Sequence, residues 1–542
     1  MKPPIKRLSV WLPLIIAASL GLGLWFGSEF LGNRFHSDNS ALNKLRTILG
    51  IIDENYVEEI DTDSILENTL PELLSQLDPH SSYIPASALE GLNEELIGSF
   101  SGIGIRFNTI TDTVTVDEVI SGGPSEKVGI LPGDRIVTVN DTVIAGRKWP
   151  NERIIKMLKG PKLTTVTLGI KRDNADELLS YTVTRDDVPV TSVDAAYMIA
   201  PETGYIKINT FSKETYSEFL TALVSLRNAG AKRYVLDLRG NGGGLMNAAV
   251  EMANEFLRRD ENIVSTKGRL SQYDSLIAAN GLGSFQDEPV VVLIDESSAS
   301  ASEILAGALQ DNDRGVIIGR RSFGKGLVQN QIDLSDNSAI RLTVARYYTP
   351  SGRCIQKSYN RGDLGNYVNE IAERYMHGEG FSADSIRIDK SQIYHTAGGR
   401  EVYGGGGIIP DVYVANDTIG ITDYYIAVFN AGMLQKFSFS YTDANRKTLG
   451  ACENVDELLA RLPSDDSLLS QFVSYASREG GIAPRWYYIN QSRNLIVSLL
   501  KALIARDAMG TSAYYEVINR TDNTIAKALE ELDGGNSALQ PK

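Results

Sequence analysis

Two short segments of this 542-residue chain carry side chains that could together cleave an amide bond. Residues 297–303 read SSASASE, a small-residue turn before a predicted helix, and residues 321–329 read RSFGKGLVQ, with one lysine in a glycine-flanked turn. A serine hydroxyl needs a base to attack an amide at neutral pH. Lysine can be that base when burial lowers its pKa, and no histidine lies between the segments. The pair therefore indicates a serine–lysine hydrolase.

Within the first segment, Ser300 has the best position for a nucleophile. It directly precedes ASEILAGALQ (301–310), so we expect its hydroxyl at a helix N-terminus, beside unpaired backbone N–H groups. The amide of Ala301 could then donate to the developing oxyanion, an interaction worth about 3–4 kcal/mol in proteases. Other serines of the turn remain alternatives, although such serines commonly close turns and cap helices. They are Ser297, Ser298 and Ser302.

Lys325 must be neutral to accept a proton, and a water-exposed lysine with a pKa of about 10.4 is rarely neutral at pH 7. Phe323 and Val328 are apolar neighbours that could exclude water from the amine. The Gln329 side chain can accept a hydrogen bond from this amine and direct it toward Ser300. The spacing thus makes Lys325 a candidate general base.

The same lysine also fits a phosphate-binding loop, because residues 319–325 follow the pattern GxxxxGK after a predicted strand. Two features argue against nucleotide binding. Gly326 replaces the hydroxyl residue that would hold magnesium, and LVQNQIDLS (327–335) alternates like a strand instead of opening a helix. Histidine catalysis is equally unsupported, since no histidine has a triad context. The histidines are His36, His80, His377 and His395.

Strands and helices alternate around these segments, over residues 189–415, which predicts an α/β core. Open α/β sheets carry their sites at strand ends. RYVLDLRGNGGG (233–244) is predicted as a buried strand that runs into a glycine-rich turn. Without side chains, the turn at residues 242–244 would let its backbone approach the nucleophile and supply a second oxyanion donor.

Residues 97–188 have another pattern, of short alternating strands with turns at residues 122–124 and 132–134. This stretch resembles a PDZ domain of the kind found in bacterial proteases, most specifically at LPGDRIVTVN (131–140). The resemblance implies that backbone amides bind a peptide's terminal carboxylate while the peptide adds as a β-strand. The residues of this carboxylate loop are Ser101, Gly102, Ile103, Gly104 and Ile105.

Further motifs occur in a single order along the chain. They are LDPHSSYI (77–84), DLRGNGGG (237–244), the two segments with Ser300 and Lys325, YYTPSGRCIQ (347–356) and GGIIPDV (406–412). Together with the PDZ pattern, they make residues 38–415 resemble the carboxyl-terminal processing peptidases, also called tail-specific proteases. A noncatalytic member would be expected to have lost one or more of these motifs.

The resemblance implies a role for each matching position. Ser300 is the expected nucleophile, Lys325 the general base and Gln329 the residue that supports the base. Gly244 is the expected second oxyanion donor beside Ala301, with Gly243 as the alternative. This chemistry needs no metal and no organic cofactor.

The amino terminus predicts a membrane anchor. Lys2, Lys6 and Arg7 precede residues 8–27, an uncharged stretch long enough to span the hydrocarbon layer. The basic flank should stay in the cytoplasm, so we expect a single-pass protein of the bacterial inner membrane with its bulk in the periplasm. A cleaved signal peptide is the alternative, although its apolar region is usually shorter.

Composition sets broader limits on the class of protein. Hydrophobic content of 42% and charged content of 22% are typical of a globular protein. The net charge of -15 argues against a nucleic-acid partner, which needs clustered lysine and arginine. Cys354 and Cys452 form no CxxC pair, so no structural zinc site is predicted.

We therefore expect a multidomain α/β protein with five parts. They are a cytoplasmic tip and membrane anchor (1–37), an N-terminal helical segment (38–96), a PDZ domain (97–188), an α/β serine-protease core (189–415) and a C-terminal helical appendage (416–542). The appendage has amphipathic helices that suit internal packing, a homodimer contact or docking of a regulatory adaptor. Its sequence does not separate these roles.

The predicted function is a membrane-anchored serine endopeptidase. It would hold the free C-terminal tail of a protein substrate in the PDZ groove and cleave near that tail with Ser300 and Lys325. The alternative is a noncatalytic periplasmic PDZ scaffold that captures protein C-termini. The intact Ser300, Lys325 and Gln329 argue against this alternative.

Overall fold

The computed structural model describes residues 40–110, 112–120, 122–172, 177–535 and 537–539. The expected anchor, residues 8–27, lies outside the described residues. Within the described ranges, no helix has both the length and the apolar character needed to cross a membrane. The chain divides into two compact units, Met1–Leu73 and Leu74–Lys542.

The N-terminal segment, predicted to be helical over residues 38–96, is mainly helical in its described part. Its elements are α1 (Ser40–Asn55), α2 (Thr62–Ser75), β1 (Ser82–Ile84) and α3 (Ala86–Ile97). The last three residues of the LDPHSSYI motif (77–84) form β1. This strand pairs with a strand of the protease core at Ser82 and Arg341, a partner that local sequence does not reveal.

The PDZ region follows as a small β-rich domain. Its elements are β2 (Ser99–Gly102), β3 (Ile105–Asn108), β4 (Val114–Val119), α4 (Pro124–Val128), β5 (Arg135–Val139), β6 (Thr142–Val143), α5 (Asn151–Leu158), β7 (Thr165–Lys171), β8 (Leu179–Thr184) and β9 (Asp186–Pro189). The main sheet has the order β3-β4-β5-β7-β8 with β6 beside β5, and β2 pairs with β9. Alternating apolar residues point into one core, as in β7, where Val166, Leu168 and Ile170 are buried.

The predicted α/β core is confirmed. Its elements are β10 (Val193–Ala200), β11 (Thr203–Ile208), α6 (Thr215–Asn228), β12 (Arg233–Asp237), α7 (Met246–Asn254), β13 (Asn262–Gly268), β14 (Ser275–Ala278), β15 (Val290–Ile294), α8 (Ala301–Asp311), β16 (Val316–Gly319), β17 (Leu327–Asp333), β18 (Ala339–Tyr348), α9 (Leu364–Met376), β19 (Ile393–His395), β20 (Glu401–Tyr403) and β21 (Val412–Tyr413). The central sheet has the order β10-β11-β12-β15-β16-β21. It is parallel from β11 to β21, with β10 antiparallel at its edge.

The C-terminal region is helical, as predicted. Its helices are α10 (Asp423–Asn430), α11 (Met433–Ala444), α12 (Arg446–Leu449), α13 (Val455–Arg461), α14 (Asp465–Gly480), α15 (Trp486–Met509), α16 (Thr511–Ile518) and α17 (Asn523–Asp533). Helices α10 to α16 share an apolar core that includes Leu434, Phe472 and Leu500.

The central sheet is covered on both faces. Helices α6, α7 and α8 pack on one face, through residues such as Phe219, Met252 and Leu305. On the other face, Ile525 and Leu532 of the last helix, α17, pack in one cluster with apolar residues of the sheet. The predicted appendage is therefore not separate over its whole length, because α17 forms a layer of the protease core.

Candidate active site

Ser300 lies in the turn between β15 and α8, directly before the helix. Its backbone has φ 56° and ψ -112°, a conformation that non-glycine residues rarely adopt. Such strain costs on the order of 1–3 kcal/mol and persists only where surrounding contacts enforce it. The conformation presents the serine side chain at the N-terminus of α8, as predicted from sequence.

Two of the three alternative serines of this turn, Ser298 and Ser302, have hydroxyls that are hydrogen-bonded to the backbone. The buried Ser298 hydroxyl donates to the Leu238 carbonyl over 2.8 Å. The buried Ser302 hydroxyl donates to the Asn241 carbonyl over 2.9 Å. These bonds join the serine turn to the glycine-rich loop after β12, so both hydroxyls have structural roles.

The glycine-rich loop lies directly against Ser300. Gly243 has φ 99°, and a Cβ atom there would lie 2.6 Å from the Ala299 carbonyl oxygen and 2.8 Å from the Ser300 Cβ. A Cβ atom at Gly244 would overlap the Phe211 carbonyl oxygen. This loop can therefore approach the nucleophile only because it lacks side chains.

Three backbone amides were predicted as oxyanion donors, and in the structure they differ in whether they already have a hydrogen-bond acceptor. The Gly243 N–H donates to Asn241 Oδ1 over 2.8 Å, so it is engaged. Within the described part of the chain, the N–H groups of Ala301 and Gly244 have no hydrogen-bond acceptor. Ala301 and Gly244 thus remain predicted donors to an oxyanion beside Ser300.

A cleft of about 730 Å³ brings together Ser300, Lys325, Gln329 and the glycine-rich loop. Lys325 Nζ donates to Gln329 Oε1 over 2.9 Å. Burial lowers the pKa of Lys325, and the charge of Arg341 lowers it further. Among the described side chains, no direct hydrogen bond joins Lys325 to Ser300. Catalytic hydrogen bonds are often long in a free enzyme and tighten when substrate binds.

The Glu303 side chain hydrogen-bonds to both the Ser300 segment and the Lys325 segment. Its Oε2 accepts the Ser300 N–H at 2.8 Å and the Lys325 N–H at 2.9 Å. Its Oε1 accepts the Gly324 N–H at 2.7 Å and the Ser322 hydroxyl at 2.5 Å. Burial raises the pKa of this fully buried carboxyl to about 7, against the effect of these donors. One carboxylate therefore fixes both the nucleophile turn and the lysine turn.

Tyr347 makes a second connection between the segments. Its buried hydroxyl lies 3.1 Å from the Ser300 carbonyl oxygen and also donates to the Lys325 carbonyl. Burial raises the pKa of Tyr347 well above its usual value, so the hydroxyl keeps its proton.

The turn at LDPHSSYI positions Gln329. The backbone carbonyl of His80 accepts a hydrogen bond from Gln329 Nε2, which leaves Oε1 of the same amide for Lys325. Asp78 holds this turn by accepting the N–H groups of His80 and Ser81. Burial lowers the pKa of the His80 ring to about 4, so the ring is neutral at pH 7.

The PDZ domain contains an apolar groove of about 290 Å³ between β3 and α5. Residues lining it include Phe100, Ile103, Gly104, Ile105, Ile155 and Leu158. Three of the five predicted carboxylate-loop residues thus line the groove. Ser101 and Gly102 instead lie in β2, where they pair with Asp187 and Asp186 of β9.

Sequence interpretation missed the roles of Glu303, Tyr347 and Asn241. A signal for Glu303 was available, since Ser300 and Glu303 have the S-x-x-E spacing of a capping box. No comparable signal exists for Tyr347, which lies 47 positions from Ser300.

Family models match three parts of the chain. Residues 202–364 match peptidase family S41, and residues 101–183 match the PDZ domain. Residues 424–510 match a family described as one of unknown function.

Individual relatives agree with these matches. The carboxy-terminal-processing protease of Bartonella bacilliformis is 40% identical over 306 residues, which are 56% of this chain and 69% of the relative. The carboxy-terminal processing protease CtpA of Bacillus subtilis is 33% identical over 350 residues, or 64% of this chain and 74% of the relative. A solved photosystem II D1 C-terminal processing protease has 31% identity and a TM-score of 0.32, covering 57% of this chain and 88% of that one.

An α/β core with a serine at a strained strand–helix turn, joined to a PDZ domain, defines a serine-type peptidase. Because the relatives match over more than two thirds of their length, the family is also defined. The chain belongs to the carboxyl-terminal processing peptidases of family S41.

Proposed function

We propose that the chain is an endopeptidase that uses Ser300 as nucleophile and Lys325 as general base. Neutral Lys325 Nζ takes the proton of Ser300 Oγ while Oγ bonds to the carbonyl carbon of the substrate. The resulting oxyanion accepts the Ala301 and Gly244 N–H groups. Protonated Lys325 then gives its proton to the departing amine as the C–N bond breaks. Water, deprotonated by Lys325, hydrolyses the remaining ester and restores Ser300.

The observation that carries this proposal is the environment of Lys325 Nζ. It lines the same cleft as Ser300, its pKa is lowered by burial, and it donates a hydrogen bond to Gln329 Oε1. A neutral amine so held keeps its lone pair for the serine proton. A peptide in the cleft would exclude further water and shift the amine further toward its neutral form.

The PDZ groove gives the proposal its substrate class, proteins with a free C-terminal tail. Strand β3 is an edge strand, so an extended peptide can pair with it while its side chains enter the groove. The backbone at Ile103, Gly104 and Ile105 lies at the same groove and would receive the terminal carboxylate. The apolar lining favours tails that end in apolar or small residues.

Residues 8–27 support a further part of the proposal, an anchor in the bacterial inner membrane with the peptidase in the periplasm. The noncatalytic scaffold has no observation in its favour. The chain belongs to a peptidase family, and Ser300, Lys325 and Gln329 are brought into one cleft.

Cleavage of a tailed protein by the full chain tests the catalytic proposal. We expect Ser300→Ala and Lys325→Ala to lose at least about 1000-fold in rate, because neither alone can complete the attack. Lys232→Ala is the matched control, since Lys232 is exposed on the surface and pairs only with Glu202 among the described residues. Equal cleavage by all four proteins would disprove the serine–lysine assignment.

Peptide binding to the full chain tests tail recognition. Amidation of the terminal carboxylate should weaken binding about 10- to 100-fold, the value of one or two charge-assisted hydrogen bonds. Ile155→Glu should weaken binding as well, because it places a charge in the apolar groove. Val143→Glu, in β6, is the control at a similarly exposed position outside the groove. Unchanged binding after amidation would show that the groove does not select free tails.

A further inference from the structure

The loop that carries Gly243 and Gly244 is connected to the C-terminal helical region by an ion-pair network. Asp237, the last residue of β12, is buried, and Arg239 lies two residues further along the chain. The Arg239 guanidinium donates from Nε and Nη2 to the Asp237 carboxylate, at 3.0 and 2.6 Å. Its Nη1 donates to Asp522 Oδ2 at 2.8 Å. One guanidinium thus bridges a strand end of the core and a residue 283 positions away.

Asp522 is itself held rigidly. It is the N-cap residue of α17, and its Oδ1 accepts the N–H groups of Thr524 and Ile525 at 2.7 and 3.0 Å. These bonds fix the direction of the carboxylate, so Oδ2 is aimed at Arg239. The helix behind it is anchored by Ile525 and Leu532 on the central sheet. The support for Arg239 is therefore preorganised.

We propose that Asp522 is a positioning residue of the oxyanion loop, residues 238–244, and acts on that loop through Arg239. The proposal rests on the function proposed above for Gly244. It assigns a catalytic contribution to a residue that lies outside the segment matched by the peptidase family, which ends at residue 364.

Contacts along the loop explain how Arg239 can influence Gly244. The Arg239 N–H donates to Asp237 Oδ1 at 3.0 Å, and the next amide, of Gly240, donates to Asp295 Oδ1 at 2.9 Å. Asn241 then accepts the Gly243 N–H through its side chain. Gly240, Asn241 and Gly243 are thus each held by a hydrogen bond, so a displacement at Arg239 is passed toward the glycines.

The negative charge of Asp237 alone does not balance the two positive charges at the base of the oxyanion loop, and Asp522 supplies the second negative charge. Burial acts to raise the pKa of Asp237, but the positive charges of Arg239 and Lys207 keep it well below its usual value. Asp237 and Asp522 together balance Arg239 and Lys207, whose Nζ lies 3.5 Å from Asp237. Removal of the Asp522 charge would leave an excess positive charge and an unsatisfied Nη1 at the base of the loop.

The same helix and strand provide a matched control. Arg233, at the start of β12, pairs with Asp533, at the end of α17, with 2.6 Å between Nη2 and Oδ1. Both ion pairs join α17 to β12. Only the Asp522 pair reaches the oxyanion loop, because Arg233 lies at the opposite end of the strand.

Steady-state kinetics of the full chain on a tailed protein test the proposal. Asp522→Asn keeps a capping oxygen but loses the charge, and Asp522→Ser keeps a cap but is too short to reach Arg239. We expect both to lower kcat about 5- to 50-fold with KM within about twofold, since a misplaced oxyanion donor weakens only transition-state binding. Asp533→Asn should keep both constants within about twofold. Thermal unfolding should shift more in Asp522→Asn than in Asp533→Asn, because the Asp522 side chain is 22% exposed and the Asp533 side chain 68%, so the kinetics are measured at a temperature where both variants are folded.

Several outcomes would overturn the proposal. In the first, both Asp522 variants keep the kcat of Asp533→Asn, and in the second, they raise KM while kcat is unchanged. In the third, neither Asp522 variant folds although Asp533→Asn does, which would make Asp522 a purely structural residue. Failure of the proposed function has a different signature, because Ser300→Ala and Lys325→Ala would then remain active.

Discussion

Glu303 connects the proposed nucleophile, Ser300, and the proposed base, Lys325, because its one buried carboxylate accepts four hydrogen bonds from their two segments. Each carboxylate oxygen accepts two hydrogen bonds, and only the ionised carboxylate can accept all four. Since burial raises the pKa of Glu303 to about 7, protonation below that pH removes an acceptor from one of the two segments. Protonation of Lys325 acts in the same direction, so activity should fall as the pH decreases from neutral.

Glu303→Gln should lower kcat at least about 100-fold. The glutamine NH₂ group would face two donors in place of an acceptor, so Ser300 or Lys325 would lose its support. Asp411→Asn is the matched control, because Asp411 is another carboxyl with a burial-raised pKa but bonds to Gln310, Ile317 and Arg400. Kinetics and thermal unfolding of both variants check this. Equal loss of kcat in the two variants would show that Glu303 contributes only to the stability of the fold.

Residue type and spacing were sufficient to predict Ser300 and Lys325 as a pair, and the structure places both in one cleft. They were not sufficient for the residues that hold the pair. Glu303 reaches Ser322, Gly324 and Lys325 across 19 to 22 positions of chain, a proximity that only the folded sheet creates.

The proposed oxyanion site consists of two elements in direct contact, the glycine-rich loop after β12 and the N-terminus of α8. A Cβ atom at Gly243 would lie 3.0 Å from the Ala301 nitrogen, so the loop passes the helix N-terminus at the limit of backbone packing. Gly242, one residue earlier, has open space around its would-be Cβ atom. The close packing therefore requires glycine at residue 243 but not at residue 242.

Gly243→Ala should lower kcat about 100-fold or more, because the new methyl group must displace either the loop or Ser300. Gly242→Ala should keep kcat within about twofold, since nothing lies within reach of its methyl group. Kinetics on a tailed protein, with circular dichroism to verify folding, measure the difference. Similar activity of the two folded variants would contradict the close approach described here.

Sequence periodicity predicted the short strands of residues 97–188 and the α/β alternation, because each depends on local spacing of apolar residues. The PDZ domain was inferred from a resemblance, mainly at residues 131–140. Periodicity did not predict strand partners. Ser101 and Gly102 were placed in the carboxylate loop, but they pair with Asp187 and Asp186 in β9, 86 and 84 positions away. The same limitation applies to β1, which pairs with β18.

The protease core is organised around a sheet whose second covering layer is a helix, α17, that begins more than 200 positions after β15. Val291 and Leu293 of β15 face Ile525 and Leu532 in α17. The sequence predicted that α17 is an amphipathic helix, but the surface that its apolar face covers could not be read from periodicity. A region predicted as an appendage therefore contributes part of the core.

A chain that ends after Asp522, and so lacks α17, should unfold at a clearly lower temperature than the full chain. Each buried large apolar residue contributes about 1.5–3 kcal/mol, and removal of the helix also exposes its partners on the sheet. A chain that ends after residue 535 keeps α17 and is the control. Thermal unfolding and binding of a hydrophobic dye measure the effect. Identical transitions in the two shortened chains would contradict the layer role of α17.

The most direct test of the account is the rate at which phenylmethylsulfonyl fluoride modifies Ser300 between pH 5 and pH 10, located by mass spectrometry. The wild-type rate should rise with pH along the ionisation of Lys325, whose midpoint lies below the usual lysine pKa of about 10.4 because burial lowers the pKa of Lys325. Ionisation of Glu303, whose pKa is about 7, adds a second rise that Lys325→Ala retains. Lys325→Ala should abolish the lysine-dependent rise and slow the modification. Modification of another serine, or an unchanged profile in Lys325→Ala, would contradict the assignment of Lys325 as the base for Ser300.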